Sequence, residues 1–230
     1  KVGVVEDADP TVKSVAASMT SWLKDPDALM ALRYELGRYI EGSRSTLPVL
    51  EVSGGVHPKG KYYVNFQDPA GSPAADPLVH EGKTYLKVGW DAYDAKKGYG
   101  WSGENIGKAS IALFGYDDVG GFSEVQRSYV YDDYGRPNLF EFALDPGKYK
   151  VTVGVGRPAK GYPNDPHNVS IEGVKIVDDQ VTTSGAPLIT KTTNVDVTDG
   201  SLSLVVGGKS ATTGDFAYTF FAYLEIEPAS

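Results

Sequence analysis

Cysteine is absent from this 230-residue chain. Disulfides and thiolate metal sites are therefore excluded, a pattern that fits either the cytosol or a secreted bacterial protein that avoids the residue. Histidine is scarce, with only His57, His80 and His167, so an imidazole-based catalytic triad has few candidates. No apolar run approaches the length needed to span a bilayer. Basic charge is in deficit: 22 Lys and Arg stand against 30 Asp and Glu, for a net charge of −8 and a pI near 4.9. Nucleic acid needs a concentrated basic face and is excluded as a partner. There is no basic amphipathic stretch for anionic lipid, and no membrane partner is expected. Catalytic signatures are missing as well. No Gly-x-Ser-x-Gly, Gly-Asp-Ser block, His-Glu-x-x-His or P-loop occurs. The nearest imitation of a nucleophile site, Ser53-Gly54-Gly55 with His57, lies in a linker-like stretch.

Glycine (27), proline (14) and tyrosine (15) are abundant, and tyrosine outnumbers Phe (8) and Trp (3) together. Many turns follow. The tyrosines suit either a binding face that keeps ring edges wet or strands that favour aromatics. The 41% hydrophobic content is enough for a packed core.

The chain divides at about residue 50. Asp9 and Pro10 form a helix start, and Val12, Val15, Ala16, Met19, Trp22 and Leu23 recur at helical spacing. Asp25-Pro26 repeats the signal before Leu29, Leu32, Leu36 and Ile40. Residues 10–41 are predicted to form a helical hairpin, and residues 1–50 a hairpin with its linker. From Lys61 the period changes to two. Short strands are predicted at Tyr62–Phe66, Thr84–Val88, Ile111–Phe114, Leu139–Leu144, Lys148–Val155, Val169–Val177, Thr192–Val197, Ser201–Val206 and Phe216–Ile226, separated by turn signals such as Asp145-Pro146-Gly147 and Asp199-Gly200. This spacing, without intervening helical periods, indicates a mainly β second domain over 51–230, an antiparallel β-sandwich or jelly roll.

The segment Trp90–Trp101, WDAYDAKKGYGW, holds four rings in twelve residues together with Asp91, Asp94, Lys96 and Lys97. Its glycine and charge make it poor core material, so the rings are expected near the surface. A ring beside hydrogen-bonding groups suits a flat, hydroxylated ligand such as a sugar, whose C–H face stacks while its hydroxyls find polar partners. It falls between two predicted strands and is read as a loop. Two further loops offer the same chemistry, Tyr129–Asn138 (YVYDDYGRPN) and Arg157–Asn168 (RPAKGYPNDPHN), the latter stiffened by three prolines. If the three meet at one end of the sandwich, the ligand-binding candidates are Trp90, Tyr93, Tyr99, Trp101, Tyr131, Tyr134, Arg136, Tyr162, Asn164 and His167. A competing reading makes Trp101 a plug beneath the turn and has Tyr131 or Tyr134 close a sheet edge.

The order of FEFALDPGKYKVTVGVG (140–156), HNVSIEGVKIV (167–177), TTNVDVTDGSLSLVVGG (192–208) and FAYTFFAYLEIEP (216–228), with the earlier YYVNFQDPAG (62–71) and KKGYGW (96–101), resembles the galactose-binding-like carbohydrate-binding modules of the malectin-like and family 6/35-like type. It is similar to the non-catalytic sandwiches attached to bacterial rhamnogalacturonan-acting and other polysaccharide-degrading enzymes. The resemblance covers residues 60–228. It implies a non-catalytic module that holds a secreted or cell-surface bacterial enzyme on polysaccharide, linked to an upstream catalytic domain, as a monomer. It also implies a structural calcium joining the first and last strands, with Asn65, Asp68 and Glu225 as the matching positions. A start at Lys1, without Met or signal-like segment, is expected of a piece of a longer or processed protein. Two other readings remain: a fragment of a polysaccharide esterase or lyase with unrecognised catalytic residues, and a structural surface or adhesion domain.

Overall fold

The computed structural model describes residues 55–159 and 166–229. The helical hairpin expected over residues 10–41 lies outside them, as do Tyr162 and Asn164.

Thirteen strands are formed among the described residues: β1 Tyr62–Phe66, β2 Leu78–His80, β3 Lys83–Val88, β4 Tyr99–Ser102, β5 Ala112–Tyr116, β6 Ser128–Asp132, β7 Asn138–Ala143, β8 Gly147–Gly156, β9 Pro166–Ile171, β10 Val174–Val181, β11 Leu188–Val197, β12 Ser201–Val206 and β13 Phe221–Pro228. A single helical turn, α1, spans Glu124–Arg127. One sheet runs β11-β8-β13-β1-β3-β2, with β6 pairing β13 and β5 pairing β6; the other runs β10-β9-β12-β7-β4. All pairings are antiparallel except β1 with β3. The described residues thus form a two-sheet β-sandwich.

Period-two patterning places the core. Tyr149, Val151, Val153 and Val155 of β8 point inward with Val64, Phe66, Leu224 and Ile226. They meet Phe140, Phe142, Leu202, Leu204, Val169 and Ile171 from the facing sheet. A smaller cluster of Leu78, Tyr85 and Val125 forms where α1 covers the outer face of the larger sheet.

Strand direction defines two ends. At one, here the upper end, β8 and β12 finish while β7, β9 and β13 begin, so the connections 133–137, 182–187 and 207–220 lie there. The opposite, lower end holds the turns at 144–146 and 198–200. The first and the last described residues lie at the lower end. His57 N donates to Ala143 O at 3.0 Å, and Ala229 N donates to Lys148 O at 2.9 Å.

Two segments read as loops are strands. Tyr99–Ser102 pairs with β7 through Tyr99–Phe142 and Trp101–Phe140, and Ser128–Asp132 pairs with β5.

Candidate carbohydrate-binding surface

The Trp90–Trp101 cluster is divided between core and edge. Trp101 is 1% exposed. It packs between the sheets against Phe66, Phe140 and Trp90 at centroid distances of 5.4, 5.0 and 4.6 Å. Its indole N–H donates to Gly89 O at 2.9 Å. Trp90 is also buried and donates to Leu113 O at 2.9 Å. Tyr99, half-buried, stacks on Phe142 toward the lower end, 6.2 Å from the ring of His57. Tyr93 lies on a segment laid along β4, its N–H donating to Trp101 O. Glycine and charge pointed to a loop; the aromatic alternation of Tyr99 and Trp101 serves the sandwich interior instead.

The upper end assembles a different surface, around Tyr134 and Arg136. Both follow β6 on a tight turn organised by one carboxylate. Asp132, buried, accepts Tyr134 N at 2.8 Å and Arg136 N at 3.4 Å on Oδ1. Its Oδ2 accepts Asn105 Nδ2 at 2.8 Å and Asn138 Nδ2 at 3.1 Å. A buried carboxylate is tolerable only when so many donors compensate its lost hydration. The turn is also fastened to the β12–β13 connection. Gly208 N donates to Gly135 O at 2.9 Å, and Ala217 N to Gly208 O at 2.9 Å. Gly135 adopts φ 63°, and a Cβ there would lie 2.7 Å from Ala217 O, so only glycine fits.

On this fixed turn the Tyr134 ring is 57% exposed. Beside it, the Arg136 guanidinium carbon lies 4.1 Å from the Phe216 ring centroid, and Lys209 Nζ lies 5.5 Å from the same ring. Arg136 Nε is 2.8 Å from Glu104 Oε1 but is not aligned as a hydrogen bond. Both side chains of that ion pair are partly exposed, so the pair adds little stability. Their planar groups suit vicinal hydroxyls. Glu104, Phe216 and Lys209 carry no local sequence signal; strand order alone brings them to Arg136.

The other expected residues are placed apart from this turn. Tyr131 belongs to β6 and packs on the outer face of the larger sheet against Phe220 and Tyr129. There Arg157 bonds Asp117 through Nε and Nη2 at 3.1 and 2.9 Å and lies over the Tyr129 and Phe220 rings. His167 is fully buried, with Nδ1 2.9 Å from Tyr218 O and Nε2 3.1 Å from Thr182 Oγ1. It holds two connections together and does not reach solvent.

The residues considered for calcium each have other partners. Asn65 is buried, donates through Nδ2 to Val125 O and Ala222 O at 2.9 Å each, and accepts Gln67 Nε2 on Oδ1 at 2.6 Å. Glu225 accepts Lys83 Nζ at 2.7 Å and the Tyr85 hydroxyl. Asp68 caps its own turn, accepting Ala70 N at 3.0 Å. Among the described residues no group of three His, Cys, Asp or Glu side chains is placed to hold a metal. A cation wants converging unshared oxygens, and Asn65 presents its nitrogen to the two nearby carbonyls.

Two groups, the buried His167 and the half-buried Glu172, give opposite pH dependences. Burial pushes the His167 pKa down to about 4, against the pull of the Tyr218 carbonyl. The unfolded chain gains a proton near pH 6.5 and the folded chain only near 4, so this stabilisation is present above 6.5 and lost as pH falls toward 4. Glu172, at the β9–β10 turn, is pushed up to about 7 by burial, opposed by the Ser203 N–H and reinforced by Asp199. Its contribution is present below about 4.5 and lost as pH rises through 7. Each is worth about 3 kcal/mol at most, so they nearly cancel between pH 4.5 and 6.5. Denaturant titrations should therefore show Glu172→Gln more stable than wild type at pH 8 by about 2 kcal/mol, with a decline between pH 6.5 and 4.5 that wild type lacks. Identical pH profiles for the two proteins would contradict this assignment.

No family model and no curated protein matches the chain. Solved structures do. Protein YxiM of Bacillus subtilis is 26% identical over 74% of this chain and 40% of its own, with a TM-score of 0.48. A calcium-binding mutant of Bacteroides uniformis β-glucuronidase 2 is 10% identical over 76% of this chain and 19% of its own, at 0.50. A family 35 carbohydrate-binding module from Clostridium thermocellum is 17% identical over 52% of this chain and 89% of its own, at 0.33. The chain spans about two fifths of YxiM and under one fifth of the glucuronidase. The likeness to the glucuronidase is one of fold alone, a β-sandwich. Among the described residues no helix is long and apolar enough to cross a membrane.

Proposed function

We propose that this chain is a non-catalytic carbohydrate-binding module that holds a secreted or surface-attached bacterial enzyme, covalently linked, on plant or microbial polysaccharide. The observation that carries the reading is Tyr134: a large ring left 57% exposed on a turn whose backbone is fixed by Asp132 and Gly208. A mobile loop would let such a ring fold back on the surface. A fixed one presents it to a ligand at little ordering cost. Arg136 and Glu104 supply the planar polar groups beside it. The fold is one that the Bacteroides uniformis β-glucuronidase also contains. A tethered module of this kind would raise local substrate concentration.

Affinity electrophoresis through gels containing pectin, xanthan, xylan or β-glucan tests the proposal. At least one polysaccharide should retard the protein, and Tyr134→Ala should weaken that binding at least about tenfold, or 1.4 kcal/mol. The ring is mostly solvated, so the variant should keep wild-type stability to about 0.5 kcal/mol. Absence of retardation on every gel, or unchanged retardation of Tyr134→Ala, would overturn the reading.

A further inference from the structure

Tyr134 is not the one exposed ring at the upper end: Tyr218 is 39% exposed, on the connection that leads into β13. The two side chains leave the backbone on either side of a close contact. A Cβ on Gly135 would lie 2.7 to 3.1 Å from three backbone atoms of Ala217. Tyr134 precedes that glycine and Tyr218 follows that alanine, so their Cα atoms are no more than roughly 14 Å apart. Tyr218, like Tyr134, is anchored through its main chain. Its carbonyl oxygen lies 2.9 Å from Nδ1 of the buried His167, and the following Thr219 hydroxyl accepts Asn168 N at 3.0 Å.

We infer that the upper end takes an internal stretch of a glycan chain, at least two consecutive sugar units, with Tyr218 as a second stacking platform beside Tyr134. The inference rests on the carbohydrate-binding reading and adds the substrate form: an unbranched chain crossing the surface rather than a chain end or a free monosaccharide. Two exposed rings carried by anchored backbone on either side of that contact favour a ligand that continues past each of them. One ring gives one stacking contact however long the chain; two rings reward length. His167 acquires a purpose here as a positioning residue, since its buried imidazole fixes the peptide that carries the second ring.

Titration calorimetry with linear xylo-, cello- and galacturono-oligosaccharides of one to six units tests this. On the series that binds, wild-type affinity should climb at least tenfold between one unit and four. Tyr218→Ala should bind the single unit within twofold of wild type and lose the climb. Tyr218→Phe, which keeps the ring, should retain it. The alanine variant leaves the carbonyl that meets His167 in place, and its melting temperature verifies folding. A Tyr218→Ala protein with the wild-type length dependence overturns the inference, while loss of binding in Tyr134→Ala in the same experiment would leave the carbohydrate-binding reading standing. Wild-type protein that binds no member of any series, and no polysaccharide gel, overturns both.

Discussion

Trp101→Ala should destabilise the sandwich by about 4 kcal/mol, near the upper part of the range for large-to-small changes in a core. The indole is the bridge between the sheets at the β4 edge. It touches Phe66 and Phe221 from the larger sheet, Phe140 from its own and Trp90 beside it, all within 6.4 Å of its centroid. Removing it leaves a cavity lined by rigid rings that cannot collapse inward, and it strips the buried Gly89 carbonyl of its donor. Both terms act in the same direction. Trp101→Phe keeps most of the packing and loses only the hydrogen bond, so about 1–2 kcal/mol is expected. Urea denaturation reads both values, and the alanine variant should melt about 10 °C below wild type. A cost under about 1 kcal/mol for Trp101→Ala would mean that the ring is not a core bridge. Polysaccharide binding by the folded fraction should be unchanged, because Trp101 lies inside the sandwich and not on the Tyr134 surface.

That contrast bears on what the chain discloses before folding. The alternation of Tyr149, Val151, Val153 and Val155 is a local signal, and it marked β8 within a residue at each end. Turn residues Asp145-Pro146-Gly147 and Asp199-Gly200 bounded their strands in the same way. The sandwich was therefore legible from period and punctuation. Strand β4 was not. Tyr-Gly-Trp reads locally as a loop because glycine lowers strand propensity, yet Gly100 sits where a Cβ would strike the Tyr93 backbone laid along the strand edge. That requirement comes from chain eleven residues or less away in sequence but set by pairing with β7, and β7 lies some forty residues on. Strand β6 was concealed by charge: Asp132 and Asp133 suggested a solvated turn, whereas Asp132 is buried because donors from Asn105 and Asn138 converge on it. The Tyr134–Arg136 turn was legible for the opposite reason, since Gly135 and Pro137 announce a turn and an aromatic and a guanidinium within it have little local packing to satisfy. His167 looked like a loop ligand. Its burial depends on Tyr218 and Thr182, fifty-one residues later and fifteen later respectively, which no local reading supplies.

Asp132→Ala is expected to remove both stability and binding, and the two losses can be separated. The carboxylate accepts four donors. Alanine leaves the Asn105 amide buried without that acceptor, leaves Asn138 Nδ2 with Arg136 O alone, and releases two turn N–H groups to whatever water can reach them. With about 1–3 kcal/mol for each buried group left unmatched, partly relieved by relaxation, a total near 4 kcal/mol follows. Asp132→Asn keeps the shape. Its remaining oxygen can still serve Tyr134 N and Arg136 N, but its NH2 group then faces the Asn105 and Asn138 amides as a fifth donor. An intermediate cost of about 2 kcal/mol is expected. Binding discriminates positioning from mere stability. At low temperature, where near-ultraviolet circular dichroism shows each variant folded, Asp132→Ala should lose polysaccharide retardation although Tyr134 and Arg136 are both intact. Asp132→Asn, with the turn N–H groups still anchored, should recover most of it. A folded Asp132→Ala protein that binds as wild type would show that the ring needs no fixed turn, and the argument from a rigid, exposed Tyr134 would fail with it. Recovery in the asparagine variant alone would tie the affinity to the two hydrogen bonds that hold Tyr134 and Arg136 in place, which is the link between a buried charge in β6 and a ring in solvent.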